Sequence, residues 1–199
     1  MSKKEYCEET KEEYVLNIKE KKYNNIYVKN IYYLLQNKDK IIKIINSYLN
    51  PMIPIKKENI KICSELFLKR KYNLSDYNSL YIDDKKLIFY LILYKNKVDI
   101  NLPYKILNYC IDIIQEWSKK NKDIRKKQYP VVVPIVIYSG QEKWNISRDF
   151  KYQQMNFTIV DDYKINLKYN LVSISKIVNS SDLNCISEIE DFIVIESLR

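Results

Sequence analysis

The chain has 199 residues, 46% of them hydrophobic and 30% charged, with no histidine and a net charge of +9 at pH 7. That length holds one well-buried core and is short for two domains. Without histidine, Ser–His and Cys–His nucleophilic systems are excluded, and chemistry must rest on carboxylates, lysines, tyrosines or a metal held through oxygen. The charge invites phosphate as a partner. A competing source is composition: the chain lacks alanine, has one glycine and is crowded with Lys, Asn, Ile and Tyr, all specified by A/T-rich codons.

In chain order, residues 1–24 form a charged N-terminal extension, with Glu5, Glu8, Glu9, Glu12 and Glu13 ahead of Lys19, Lys21 and Lys22, an order that suits a helix dipole. The segment lacks the apolar core of a signal peptide, and no apolar run reaches the ~20 residues that cross a bilayer, so a cytoplasmic protein without membrane contact is expected. Residues 25–199 are expected to form a single domain. Apolar residues at helical spacing from Ile26 to Leu49 predict a helix that ends at Pro51 and Pro54. A short strand is expected from Cys63 to Leu68, then strands from Tyr77 to Ile82 and Lys86 to Tyr94 joined by a turn at Asp83-Asp84. The second of these is apolar on both alternations and should be a central strand covered on both faces.

A helix is predicted from about Leu102 to Lys120, with Asn101 as N-cap and Pro103 in its first turn. Its inward side is expected to carry Ile106, Leu107, Cys110, Ile113, Ile114 and Trp117. After the basic stretch KKNKDIRKKQ, the segment YPVVVPIVIYSG reads as another buried strand, in which Pro134 should lie at a bulge or on an edge side. NFTIVDDY is expected to be one more strand, LVSISKIVN is ambiguous, and ISEIEDFIVIESLR is expected to be a closing helix. The order of elements predicts an α/β fold on a mixed sheet. Cys7, Cys63, Cys110 and Cys185 lack zinc-site spacing and read as free thiols.

Asp76 precedes the first hairpin strand, and a turn near Asp83-Asp84 is expected to set it roughly opposite residues 91–93. Positions 93 and 95 point to one face of their strand, so Asp76, position 93 and Lys95 are expected to converge. Two carboxylates at such a place hold Mg²⁺ through oxygen, and a lysine orients the attacking water. Position 93, however, is leucine. On residues alone, Asp76 then reads as a strand-edge aspartate and Lys95 as a solvated strand end. Asp99, Glu116 and Glu65 are the other acids weighed as substitutes. The basic residues Lys119, Lys120, Lys122, Arg125, Lys126 and Lys127 are candidate phosphate contacts, against the reading of a solvated loop. Trp117 and Trp144 are weighed as base-stacking groups against packing roles.

The stretch LSDYNSLYIDDKKLIFYLILYKNKVDINLPYKILNYCIDIIQEW, followed by YPVVVPIVIYSGQEKWN, resembles the recombination-promoting nucleases, or YhgA-like transposases, which are similar to the PD-(D/E)XK nucleases. The matching residues are Asp76, the strand Leu87 to Leu93, Val98-Asp99, Leu102-Pro103, and Pro130 through Gly140 with Trp144. The resemblance implies a restriction-endonuclease-like α/β fold with a mixed central sheet flanked by helices. It also implies a Mg²⁺-dependent DNA endonuclease in which Asp76 is a metal ligand and Lys95 positions the water. Two departures fall where catalysis would be. The family's glutamate aligns with Leu93, and its N-terminal His-Asp pair has no counterpart here. The resemblance thus implies weakened or absent hydrolysis, the alternative being a non-catalytic remnant that binds DNA or protein.

Overall fold

A computed structural model describes residues 26–49, 54–63, 77–121, 128–155 and 158–174. Expectations for the N-terminal extension, the closing helix, Glu65, Cys7 and Cys185 lie outside the described residues. The elements are α1 (Ile26–Gln36), α2 (Lys38–Leu49), β1 (Ile60–Ile62), β2 (Tyr77–Asp83), β3 (Ile88–Lys95), α3 (Leu102–Lys120), β4 (Val131–Tyr138) and β5 (Asn170–Ser173). The strands form one mixed sheet in the order β1-β2-β3-β4-β5. The first three are antiparallel to one another, and β4 and β5 run parallel to β3. This is the α/β architecture that the order of elements predicts. Among the described residues, no helix is long and apolar enough to cross a membrane.

Strand alternation divides the core in two. Tyr81, Tyr90, Ile92, Tyr94, Ile135, Ile137 and Val172 face α1 and α2, whose Ile31, Leu35, Ile41, Ile44 and Ile45 are fully buried against them. Tyr81 carries a polar tip into that layer and donates its hydroxyl to the Leu35 carbonyl at 2.7 Å. On the other face, Leu80, Phe89, Leu91, Leu93 and Val136 pack against Leu102, Ile106, Tyr109, Cys110 and Ile113 of α3. β3 is therefore buried along nearly its whole length, as a central strand covered on both sides must be.

Four local features set this arrangement. The single helix expected over Ile26–Leu49 is two helices, because Asn37 interrupts it and caps the second. Its side-chain oxygen accepts from the Asp39 and Lys40 amides at 3.1 and 3.2 Å. At the β2–β3 turn, the Asp83 carboxylate accepts from the amides of Lys85 and Lys86, and Leu87 takes a left-handed φ of 54° to close the loop. Pro134 lies inside β4, paired with Leu91. The amides of Val131 and Ser139 donate to Leu87 and Lys95, so odd-numbered N–H groups of β4 point toward β3 and even-numbered ones toward β5. The β5 ladder begins only at Ile135, so the missing donor of Pro134 falls just short of it. This is the edge side that the proline predicts.

The fourth feature is a correction. Within NFTIVDDY, Thr158–Tyr163 is a 3-10 helix rather than a strand. Its Asp161 carboxylate binds Lys164 three residues on at 2.5 Å, and the Lys164 amide donates to the Asp161 carbonyl. Turn-forming aspartates override the β preference of Thr-Ile-Val here. The strand beside β4 comes instead from the ambiguous segment that follows. A short strand, Ile60–Ile62, ends just before Cys63, and residues 64–68 of the strand expected from Cys63 to Leu68 lie outside the described residues.

Candidate functional site

The hairpin pairs Asn78 with Leu93, Ser79 with Ile92 and Leu80 with Leu91. The positions opposite 91–93 are therefore 80–78, not 76. Asp76 itself precedes the first described residue of β2 and lies outside the described residues. Leu93 and Lys95 share the α3 side of the sheet, as their spacing predicts. Leu93 has 0% exposure and belongs to the apolar cluster beneath α3, whereas Lys95, at 9%, ends the strand. Burying a leucine this fully stabilises the fold by about 2 kcal/mol. Position 93 is thus part of the core.

Beyond Lys95 the chain turns through Asp99 into the first turn of α3. Both oxygens of Asp99 are occupied. Oδ1 accepts from the Asn101 amide at 3.1 Å and Oδ2 from Lys105 Nζ at 2.8 Å. Partial burial pushes the Asp99 carboxyl up, but the Lys105 ammonium, the Asn101 amide and the nearby Lys95 charge outweigh it and hold the group below its usual range. Two lysines around one carboxylate leave this end of the sheet cationic.

Mg²⁺ requires several oxygen donors and strong local negative charge. Among the described residues no group of three or more His, Cys, Asp or Glu side chains could hold a metal ion. With Leu93 apolar and Asp99 committed to Lys105, the described residues here do not fit the ion. Nor do the described cysteines offer a nucleophile. Burial pushes the Cys63 thiol up to about 11 and the Cys110 thiol up to about 12, so both are protonated at neutral pH.

The structure separates Lys119 and Lys120, the described basic candidates, from this site. α3 runs back along the sheet for about 28 Å, which carries Lys119 and Lys120 to the pole opposite Lys95. There Lys119 is bonded to Glu116 at 2.6 Å, so Glu116 is also remote from Lys95. Lys122, Arg125, Lys126 and Lys127 lie outside the described residues. Trp117 packs against the cluster beneath α3, a structural role.

Over residues 29–195 the chain matches the family model described as putative transposase, YhgA-like. It belongs to that family. No curated protein and no solved structure matches it.

Knowing the family, the exit of β4 explains the residues that carry the likeness. The Tyr138 ring lies directly over Gly140, where an added Cβ would overlap the ring itself. Its hydroxyl donates to the Glu142 carbonyl at 2.9 Å, and its ring meets Trp144 edge-on with centroids 4.8 Å apart. Trp144 in turn donates Nε1–H to the Tyr169 hydroxyl at 3.1 Å. Gly140 is needed for space, since its φ is not positive. In this YhgA-like chain the Tyr-Ser-Gly…Trp motif is a packing device that closes the strand end over the core. Reading the sequence alone misses this closure and the Asp99–Lys105 pair. Aspartate six residues ahead of a lysine, across a helix start, is a signal for the latter.

Proposed function

We propose that this chain is a transposase-related, DNA-binding endonuclease scaffold whose Mg²⁺-dependent phosphodiester hydrolysis is lost or strongly weakened at position 93. The observation that carries the reading is Leu93, wholly buried beneath α3 on the same face as Lys95. A hydrated dication has no place beside a leucine sealed in an apolar cluster. Asp76 is the remaining candidate ligand and Lys95 the remaining candidate for positioning water. What persists is charge. Lys95 and Lys105 flank the start of α3, and a net charge of +9 favours the phosphate backbone. Lys119, Lys120, Lys122, Arg125, Lys126 and Lys127 form the second candidate contact, at or following the far end of α3.

The test is plasmid nicking at low salt with Mg²⁺ or Mn²⁺, run on the native protein, Asp76→Ala and Leu93→Glu, alongside fluorescence anisotropy on duplex DNA. The expected result is DNA binding that weakens steeply with salt, no cleavage by the native protein, and cleavage gained by Leu93→Glu. Native cleavage that disappears in Asp76→Ala would mean that another acid completes the site, and the inactive reading would be abandoned. If DNA binding is undetectable even at low salt, the DNA-binding reading fails as well.

A further inference from the structure

Helix α3 has two apolar stripes, and the fold uses only one. Pro103, Ile106, Cys110, Ile113 and Trp117 recur at alternating intervals of three and four and pack onto the sheet. Shifting that series by one residue gives Tyr104, Leu107, Ile111, Ile114 and Ser118, a second stripe rotated by about 100° about the helix axis. Ile100, just before the N-cap Asn101, extends it by one further step. Leu107 and Ile114 are half-buried on its inner shoulder. Ile100 is 76% exposed, Tyr104 58% and Ile111 43%. No residue of the stripe is charged, and its outer flank, one residue further on, runs Lys105, Asn108, Asp112, Gln115 and Lys119. An uncharged stripe of exposed aromatic and aliphatic groups beside a flank of mixed charge marks a protein interface rather than a phosphate-binding face.

We propose that this stripe is a docking surface for a second copy of the chain, through antiparallel pairing of α3 with itself. Its pattern is self-complementary in that orientation. The stripe's midpoint lies between Leu107 and Ile111, so reversing one helix sets Leu107 beside the partner's Ile111 and Tyr104 beside the partner's Ile114. The same register brings the charged rim together in opposite signs. Lys105 lies level with the partner's Asp112, a pair that occurs twice by symmetry. A parallel pairing would instead set each lysine level with its own copy. One helix face about 28 Å long supplies roughly half of the ~800 Å² that each partner buries in a standard interface. An interface this small is expected to be weak.

Sedimentation equilibrium on the full chain, from roughly 1 to 300 µM, tests this. The expected result is a reversible monomer–dimer equilibrium that Ile111→Lys and Tyr104→Glu abolish without lowering the melting temperature, since both side chains are largely exposed. Asp112→Lys should weaken the dimer at least about fivefold, and Lys105→Glu combined with Asp112→Lys should restore it. A native chain that stays monomeric across the range overturns the proposal. So does a dimer that survives Ile111→Lys. A monomer whose stripe is protected from hydrogen exchange would assign the stripe to another segment of the same chain. Failure of the double charge reversal to restore the dimer would overturn the antiparallel register.

Discussion

β3 and β4 lie side by side and leave the sheet at the same pole, with Lys95 paired to Tyr138, yet their exits are built differently. After β4, Tyr138 closes over Gly140 and donates to the Glu142 carbonyl, while Trp144 donates to the Tyr169 hydroxyl. After β3, Lys95, Asp99 and Lys105 form a charged cluster that is partly open to solvent. The residues that tie the chain to its family are intact at the first exit, where each is needed to hold the fold. Before the second, position 93 is a leucine sealed in the apolar cluster beneath α3.

Mutations at the two exits can break this contrast or sharpen it. The largest effect is expected from Leu93→Glu, which places a carboxylate among Phe89, Leu91, Ile106 and Cys110. A loss of about 3–5 kcal/mol is expected at neutral pH by urea denaturation. Burial raises a carboxyl pKa, so the loss should shrink as the pH falls through that raised value. A variant as stable as the native chain at pH 7 would show that the site is not sealed. At the other exit, Gly140→Ala forces a methyl into the Tyr138 ring and should cost about 2–3 kcal/mol. A second change, Tyr138→Leu, should relieve part of that cost, a coupling that a double-mutant cycle reads directly. Trp144→Phe removes the bond to Tyr169 and should lower stability by about 1 kcal/mol, while leaving DNA affinity unaltered if this exit is purely structural.

The smallest effect belongs to Asp99→Asn, about 0.5 kcal/mol for a partly exposed ion pair. Because the folded carboxyl titrates below its usual range, the native pair contributes fully above pH ~4 and is lost as the pH falls through the depressed value. A native-minus-variant stability difference that is flat across that window would remove Asp99 from the charged cluster.

Periodicity and caps made the centre of the molecule legible. The span of α3, the alternation of β3 and the placement of Pro134 all follow from short-range rules, and so does the shared face of residues 93 and 95. What was not legible depended on competition between local signals or on tertiary geometry. Asn37 interrupts a continuous helical pattern because its side chain satisfies two amides at once, and apolar spacing does not register that. Thr158–Tyr163 has the composition of a strand but turns through its aspartates. Leu107 and Ile114 have the helical spacing of core residues, yet they sit a third of a turn away from the sheet. As for the candidate site, the apolar character of position 93 was plain from the sequence, but the neutralisation of Asp99 by Lys105 needed the actual bend between β3 and α3.

Pro134 has a consequence beyond its own ladder. Among the described residues, β4 is flanked by β5 only from Ile135 onward, which leaves Val131–Val133 as a short apolar run at an open margin. Such a run is a template onto which a foreign strand can zip, the first step toward fibrils. An imide at residue 134 removes the donor that would carry that pairing upward from the margin, and the run below it is too short to nucleate a stable hybrid sheet. Replacing Pro134 with valine would leave the native ladder little changed, but it would make the chain more prone to aggregate during refolding.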